Sequence, residues 1–113
     1  MLKRRRTLMI QTQAAPEPNV DRVVITGEGN ATKGYVTIDG TSYSSAAVIE
    51  LEKGQHTVLT VACEITWLGE KATTSQYPNP IIGEHTISGS FNIEFQKKTE
   101  LLTTYYTITV TSA

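Results

Sequence analysis

Three side chains of this sequence have the chemistry that metal binding or nucleophilic attack requires: Cys63, His56 and His85. No two of them stand at the short spacings of local metal sites, such as Cys-x-x-Cys or histidines at i and i+2. Cys63 shares the parity of apolar residues in a strand-like run, which predicts a buried packing thiol. Both histidines begin strand-like runs, so we expect them at the rim of the fold. The pattern predicts no bound metal and no cofactor.

Acid–base catalysis would need a facing pair of carboxylates. The chain has eleven Asp and Glu residues, but no spacing marks any two of them as partners. The sequence also has no glycine-rich phosphate loop, nucleophile elbow or Cys-x-x-Cys motif. We therefore expect a protein that is not an enzyme and has no catalytic residues. The carboxylates that fall within predicted strands or at their ends are Asp39, Glu50, Glu52, Glu64 and Glu94.

Aromatic side chains could instead form a surface on which sugar rings stack. Tyr105 lies on the polar parity of its predicted strand, so it is the strongest candidate for such a contact. Aromatic residues more often form cross-strand pairs and cover sheet edges. Glycan binding is therefore kept as an alternative. The aromatic residues considered are Tyr35, Tyr43, Trp67, Tyr77 and Tyr105.

The N-terminal segment carries the clearest sign of a binding partner. Its four adjacent cations stand in a chain of net charge −1, so the remainder of the chain carries −5. Adjacent like charges repel one another and do not fold alone. Residues 7–13 read as a short strand with two apolar residues on one face, and residues 14–19 as a Pro-containing linker. We expect this arm to contact other protein subunits, copies of the same chain among them, with nucleic acid phosphates as the alternative. The predicted contact residues, two tyrosines included, are Lys3, Arg4, Arg5, Arg6, Leu8, Ile10, Tyr77 and Tyr105.

The elements that would position these residues are strands throughout. Apolar and polar residues alternate with period two, and no segment shows the 3.6-residue period of a helix. Less than about a tenth of the chain should be helical. Asp39-Gly40 is a turn dipeptide, residues 69–84 form the longest loop, and Gly89 suggests a bulge or a close backbone approach. The predicted strands cover 20–26, 35–39, 43–52, 56–67, 85–96 and 101–111.

These strands predict an all-β fold. One single antiparallel β-sandwich over residues 20–113, with six or seven strands, follows an extended arm over residues 1–19; a closed barrel is the alternative. The shared parities predict a core made of Leu59, Val61, Ile65, Trp67, Phe91, Ile93, Phe95, Ile108 and Val110.

Two stretches of the chain resemble the PEGA domain family. Residues 34–43 read Gly-Tyr-Val-Thr-Ile-Asp-Gly-Thr-Ser-Tyr, a strand that ends in an Asp-Gly turn. Residues 49–58 read Ile-Glu-Leu-Glu-Lys-Gly-Gln-His-Thr-Val, a strand followed by the Gly-x-His-x-Val start of the next one. The resemblance implies an immunoglobulin-like or transthyretin-like sandwich of a surface or adhesion module, without catalytic residues.

In general style the chain is similar to small structural proteins of tailed bacteriophages, which are short, Thr-rich and Cys-poor and have a basic arm. We therefore expect a non-enzymatic structural protein of the virion, as a capsid decoration, head–tail or tail subunit. The alternative is a module of the bacterial cell surface that binds glycan or protein through residues 69–84. The sequence has no apolar run of the ~20 residues that cross a membrane. The apolar stretch after the N-terminal cations is shorter than the ~7–15 residues of a secretion signal.

Overall fold

The computed structural model describes residues 19–73, 80–100 and 102–113. Within these ranges the chain is all-β and contains no helix. No helix that could cross a membrane was therefore found there. The strands are β1 (Val20–Glu28), β2 (Tyr35–Ile38), β3 (Thr41–Tyr43), β4 (Ser45–Glu52), β5 (Gln55–Ala62), β6 (Glu64–Trp67), β7 (Glu70–Thr73), β8 (Ile81–Ser88), β9 (Phe91–Glu100) and β10 (Thr103–Ser112).

The strands form two sheets that enclose one core. One sheet has six strands in the order β4-β1-β9-β10-β6-β7, and the other has four in the order β3-β2-β5-β8. Both sheets contribute fully buried apolar side chains, which confirms the sandwich-like arrangement. The prediction of a purely antiparallel sheet is wrong, because β1 pairs with β9, and β6 with β10, in parallel. Strands that cross over from the opposite sheet can take this orientation, whereas hairpin neighbours cannot.

The strand number in the described ranges is ten, above the six or seven that were predicted, because three predicted strands each cross from one sheet to the other and β7 forms within the predicted loop. The predicted strand 43–52 divides at Ser44, 56–67 divides at Cys63, and 85–96 divides at Gly89 and Ser90. At each division the chain leaves the four-stranded sheet and joins the six-stranded sheet. Alternation continues through these crossings, so a period-two pattern alone does not reveal them.

The crossing at Cys63 also explains the one error of parity in the predicted core. In β5 the inward residues are Val58, Thr60 and Ala62, whereas in β6 they include Ile65. Leu59, which was predicted to be buried, is therefore only half-buried, and Trp67 is half-buried as well. The other predicted core residues are buried: Val61, Ile65, Phe91, Ile93, Phe95, Ile108 and Val110.

The predicted turn at Asp39-Gly40 is confirmed. Both residues have left-handed backbones, with φ of 48° and 91°, and they join the short strands β2 and β3. This geometry matches the right-handed twist of a tight hairpin and favours Asp or Asn followed by Gly. Gly89 also has a positive φ, of 89°, but no atom lies close to its missing Cβ position. It belongs to the crossing between β8 and β9 and is neither a bulge nor a close approach.

The predicted loop 69–84 is shorter than expected. Glu70–Thr73 forms β7, which pairs with β6, and Ile81–Ser88 forms β8. The sequence Glu-Lys-Ala-Thr has no apolar alternation, and all four residues of β7 are exposed. Backbone pairing to β6 therefore creates this strand, which side-chain patterning does not reveal.

We predict that Phe91→Ala and Phe95→Ala each lower the free energy of unfolding by about 3–5 kcal/mol, because each leaves a cavity in a closed core. Leu59→Ala is the matched control and should cost clearly less, since its side chain is half-exposed. Urea denaturation followed by Trp67 fluorescence measures these values. A loss below about 1 kcal/mol at both phenylalanines would contradict their assignment to the core.

Candidate functional site

The most concentrated polar site in the described part of the chain is a buried histidine held between two aspartates. His56 is the second residue of β5 and is 2% exposed, and Asp21 is the second residue of β1 and is 4% exposed. Asp39 reaches the same histidine from the β2–β3 turn. His56 Nε2 lies 2.8 Å from Asp21 Oδ2, and its Nδ1 lies 2.8 Å from Asp39 Oδ2.

Backbone groups complete the hydrogen bonding of both carboxylates. The Gly54 N–H donates to Asp21 Oδ2 at 3.0 Å, and the Thr57 N–H donates to Asp39 Oδ1 at 2.9 Å. The Asp39 N–H in turn donates to the Thr57 carbonyl at 2.9 Å. The cluster therefore connects β1, the β2–β3 turn, the β4–β5 turn and β5. Since β1 belongs to the six-stranded sheet and β5 to the four-stranded one, it also connects the two sheets.

The two carboxylates favour the charged form of the histidine. Burial acts to lower the pKa of His56, but the hydrogen bonds to Asp21 and Asp39, with their negative charges, outweigh burial and raise it. The hydrogen bond from His56 holds the pKa of Asp21 below its usual range, and the backbone hydrogen bond from Thr57 does the same for Asp39. An imidazolium can donate to both carboxylates at once, whereas a neutral ring can donate to only one.

This geometry stabilises the fold and occupies both ring nitrogens of His56, which metal binding or proton transfer would need. Both ring nitrogens of His56 face carboxylate oxygens, so neither offers a lone pair to a metal or to a substrate proton. Within the part of the chain that the structure describes, no hydroxyl or thiol is bonded to the ring, as a nucleophile of a catalytic triad would be. Across residues 19–73, 80–100 and 102–113, no group of three or more His, Cys, Asp or Glu residues could hold a metal ion.

The sequence-based expectation of a histidine at the rim is wrong for His56, which is buried and bonded to Asp21 and Asp39. The parity of β5 turns His56 inward with Val58, and the turn at Asp39 folds back over it. A usable signal was present in β1, where Asp21 shares the parity of the buried Val23 and Ile25. A charged residue on an apolar parity needs a buried partner, and His56 is that partner.

The other two candidates for chemistry serve packing. Cys63 is 3% exposed, and burial raises the pKa of its thiol, which confirms the predicted buried packing thiol. His85 stacks on Trp67, with ring centroids 4.3 Å apart and 15° between the planes. This stack covers one face of the tryptophan, which weakens Trp67 as a sugar-stacking platform.

Most of the predicted contact residues lie outside the described residues: Lys3, Arg4, Arg5, Arg6, Leu8, Ile10 and Tyr77. Tyr105 is described, and it lies half-buried in β10. Its hydroxyl donates a hydrogen bond of 2.6 Å to Glu100 Oε1 in the neighbouring strand β9. Tyr105 therefore forms part of a cross-strand contact near the end of the β9–β10 hairpin.

The cluster predicts that the free energy of unfolding decreases at both high and low pH. The pKa of His56 is raised above 6.5, so its contribution is complete below that pH and is lost as the pH rises through the raised value. The pKa values of Asp21 and Asp39 are lowered below 3.8, so their contributions are present above that pH and are lost as the pH falls through the lowered values. We therefore expect maximal stability between pH 3.8 and 6.5, measured by urea denaturation at a series of pH values.

Replacement of the histidine tests the assignment. His56→Gln should destabilise the protein at pH 6 by about 3 kcal/mol, the cost of removing one partner from a buried ion pair. It should also abolish the decline above pH 6.5. His85→Gln, the control at the other histidine, should retain that decline. If His85→Gln abolished it and His56→Gln did not, the cluster would not be its origin.

Comparisons of the chain with protein-family models, with curated proteins and with solved structures gave no match.

Proposed function

We propose that this chain is a non-enzymatic structural and interaction protein, a subunit that docks on other protein subunits and on copies of itself. The observation that carries the proposal is the open edge of the six-stranded sheet. Strand β4 is eight residues long and pairs only with β1 among the described strands. The backbone N–H and C=O groups on its outer side can accept another strand.

Protection of the edges is uneven, which supports the same proposal. Natural proteins shield sheet edges with short strands, lysine, proline or bulges. Strand β3 has three residues, and β7 has four with Lys71 among them. Strand β4 contains no lysine, arginine or proline and exposes 67% of Val48. Strand β8 is the second long edge, with Ile82 70% exposed.

The proposed assembly is a bacteriophage particle, in which the chain serves as a capsid decoration, head–tail or tail subunit. The support comes from the sequence: Thr-rich strands, a single cysteine and four adjacent cations near the N-terminus. Mass spectrometry of purified particles tests this placement. The chain should be present at a fixed copy number, and its gene should lie among genes for virion proteins. Particles that lack the chain would contradict the placement.

One structural feature favours the alternative of a glycan-binding surface module. Tyr35 and Tyr43 line a surface groove of about 330 Å³ together with Ala31, Ser42 and Ser44. This groove lies beside the β2–β3 hairpin, not in residues 69–84, where the sequence placed the contact. Glycan-array binding that is lost in Tyr35→Ala but kept in Tyr105→Ala would support this function, and no binding would exclude it.

Removal of the basic arm tests the leading proposal. Deletion of residues 1–13 should leave a folded monomer with an unchanged melting temperature, because the described core is made by residues after 19. Self-association, measured by sedimentation velocity, should be lost. Substitution of Lys3, Arg4, Arg5 and Arg6 by glutamine is the matched variant and should weaken association while the chain length stays constant.

Two outcomes would contradict this prediction. A truncated protein that unfolds would show that the arm is a strand of its own sandwich. A truncated protein that assembles normally would show that the interface lies elsewhere, with residues 69–84 and the β8 edge as the next candidates.

A further inference from the structure

We infer that β4 accepts residues 5–12 of a second copy of this chain as an antiparallel strand. The inference specifies the partner and the docking surface of the function proposed above and therefore rests on it. Three observations carry it: an incompletely covered apolar row on β4, the placement of charge along β4 and the arm, and the position at which the arm joins β1.

The inner face of β4 is apolar but incompletely covered. Ala47, Ile49 and Leu51 pack against the core, yet each remains half-buried. One residue, Ser44, joins β3 to β4, so the four-stranded sheet ends on this side in its three-residue edge strand. A strand added beside β4 would direct alternate side chains into the space next to this row. Two apolar residues at i and i+2 meet that requirement, and Leu8 and Ile10 have this spacing.

Charge is distributed in opposite order along β4 and the arm. In β4 the first five residues are uncharged, and the acids Glu50 and Glu52 follow near its end. In the arm the cations at 3–6 come first, and residues 7–13 are uncharged. Antiparallel addition therefore brings the cationic end of the arm to the acidic end of β4. Parallel addition would place the same cations beside Ser45 and Ala46, where β4 has no charge to meet them.

These constraints select one register. If Leu8 faces Ile49, then Ile10 faces Ala47 on the same inner side. On the outer side Met9 then faces Val48, and Arg5 faces Glu52. A slip of one residue would turn Leu8 and Ile10 to the solvent side. Glu52 also has no ion-pair partner within the described ranges, whereas Glu50 lies 3.4 Å from Arg22.

The position of β1 indicates that the donor is a second copy. Val20 pairs with Glu52, and the Lys53 N–H donates to the Asn19 carbonyl at 3.1 Å, so the arm joins β1 at the acidic end of β4. In the inferred register, Thr12 lies at the opposite end, beside Ser45. If the arm belonged to the same protomer, the residues between Thr12 and Val20 would have to run back along the whole of β4, about 23 Å at ~3.3 Å per residue. They would also have to cross that strand.

The eight residue steps from Thr12 to Val20 span at most ~26–29 Å, so an intrachain arm would be almost fully extended. The arm of a neighbour has no such constraint. Reciprocal exchange between two copies would let each protomer act as both donor and acceptor, as an isologous dimer requires.

Engineered disulfides test the register. In a Cys63→Ala background, Met9→Cys with Val48→Cys should give a disulfide-linked dimer on mild oxidation, resolved by non-reducing electrophoresis. Met9→Cys with Ala46→Cys is the matched control: residue 46 is also exposed, but lies diagonally at ~7–8 Å, beyond disulfide reach. Mixing the two single-cysteine variants Met9→Cys and Val48→Cys should give the same dimer, which confirms that the bond joins two chains.

The outcomes separate this inference from the proposed function. An intrachain disulfide would overturn the second-copy donor. Absence of the Met9–Val48 disulfide in a chain that associates only when residues 1–13 are present would overturn β4 as the acceptor and leave the proposed function intact. Association that does not need residues 1–13 would overturn the arm as donor and leave a subunit that docks through another surface, whereas a full chain that does not associate would contradict the proposed function.

Charge-reversal substitutions provide an independent test of the contact between Glu52 and Arg5. Glu52→Lys and Arg5→Glu should each weaken self-association by roughly fivefold, and the combined variant should recover most of that loss. Glu84→Lys, on the other long edge strand β8, is the control and should leave association unchanged. If Glu84→Lys weakened association and Glu52→Lys did not, β8 would be the acceptor and the inference would be overturned.

Discussion

The buried histidine held between Asp21 and Asp39 is the interaction on which this sandwich depends at one end. Hydrophobic burial holds the middle of the two sheets together, where Phe91, Ile93 and Val58 have almost no exposed surface. Burial is non-directional and does not by itself fix how the turns at the end of the sandwich are placed. The hydrogen bonds of His56 and Asp21 do have direction, and they fix β1, β5 and two turns relative to one another. Loss of the charge would leave one of the two carboxylates without the histidine as a hydrogen-bond donor, which destabilises a buried charge.

The same cluster determines where the N-terminal arm leaves the domain. Asp21 follows Val20, the first residue of β1, and it accepts the Gly54 N–H from the turn that ends β4. The Lys53 N–H, one residue earlier, bonds to Asn19. The base of the arm and the acidic end of β4 are thus held side by side by one hydrogen-bonded group. A second copy docking at Glu52 would therefore meet a surface whose geometry is set before binding, which reduces the ordering cost of association.

The sequence predicts local features of this fold better than long-range ones. Alternation predicts most of the core and the all-β class, and Asp39-Gly40 predicts its hairpin, because these depend on neighbouring residues. The crossings at Ser44, Cys63 and Gly89 are missed, since alternation continues while the partner strand changes. The pairing of His56 with Asp21 joins residues 35 positions apart and depends on the assembled sandwich. Only the charged residue on the apolar parity of β1 indicates that such a partner exists.

An added strand at β4 would be a weak contact by itself, and this favours an arrangement with two or more such contacts over a single contact. Ordering the eight residues 5–12 costs about 8–16 kcal/mol of backbone entropy, against hydrogen bonds that each contribute about 1 kcal/mol net. The apolar contacts of Leu8 and Ile10 and the ion pair at Glu52 must supply most of the balance, and exposed ion pairs contribute at most about 1 kcal/mol. Once one arm of a pair is bound, the second binds at a high effective concentration without paying the full cost of association again. Reciprocal exchange, or repetition of the contact around a closed ring, therefore converts a marginal strand addition into a stable assembly.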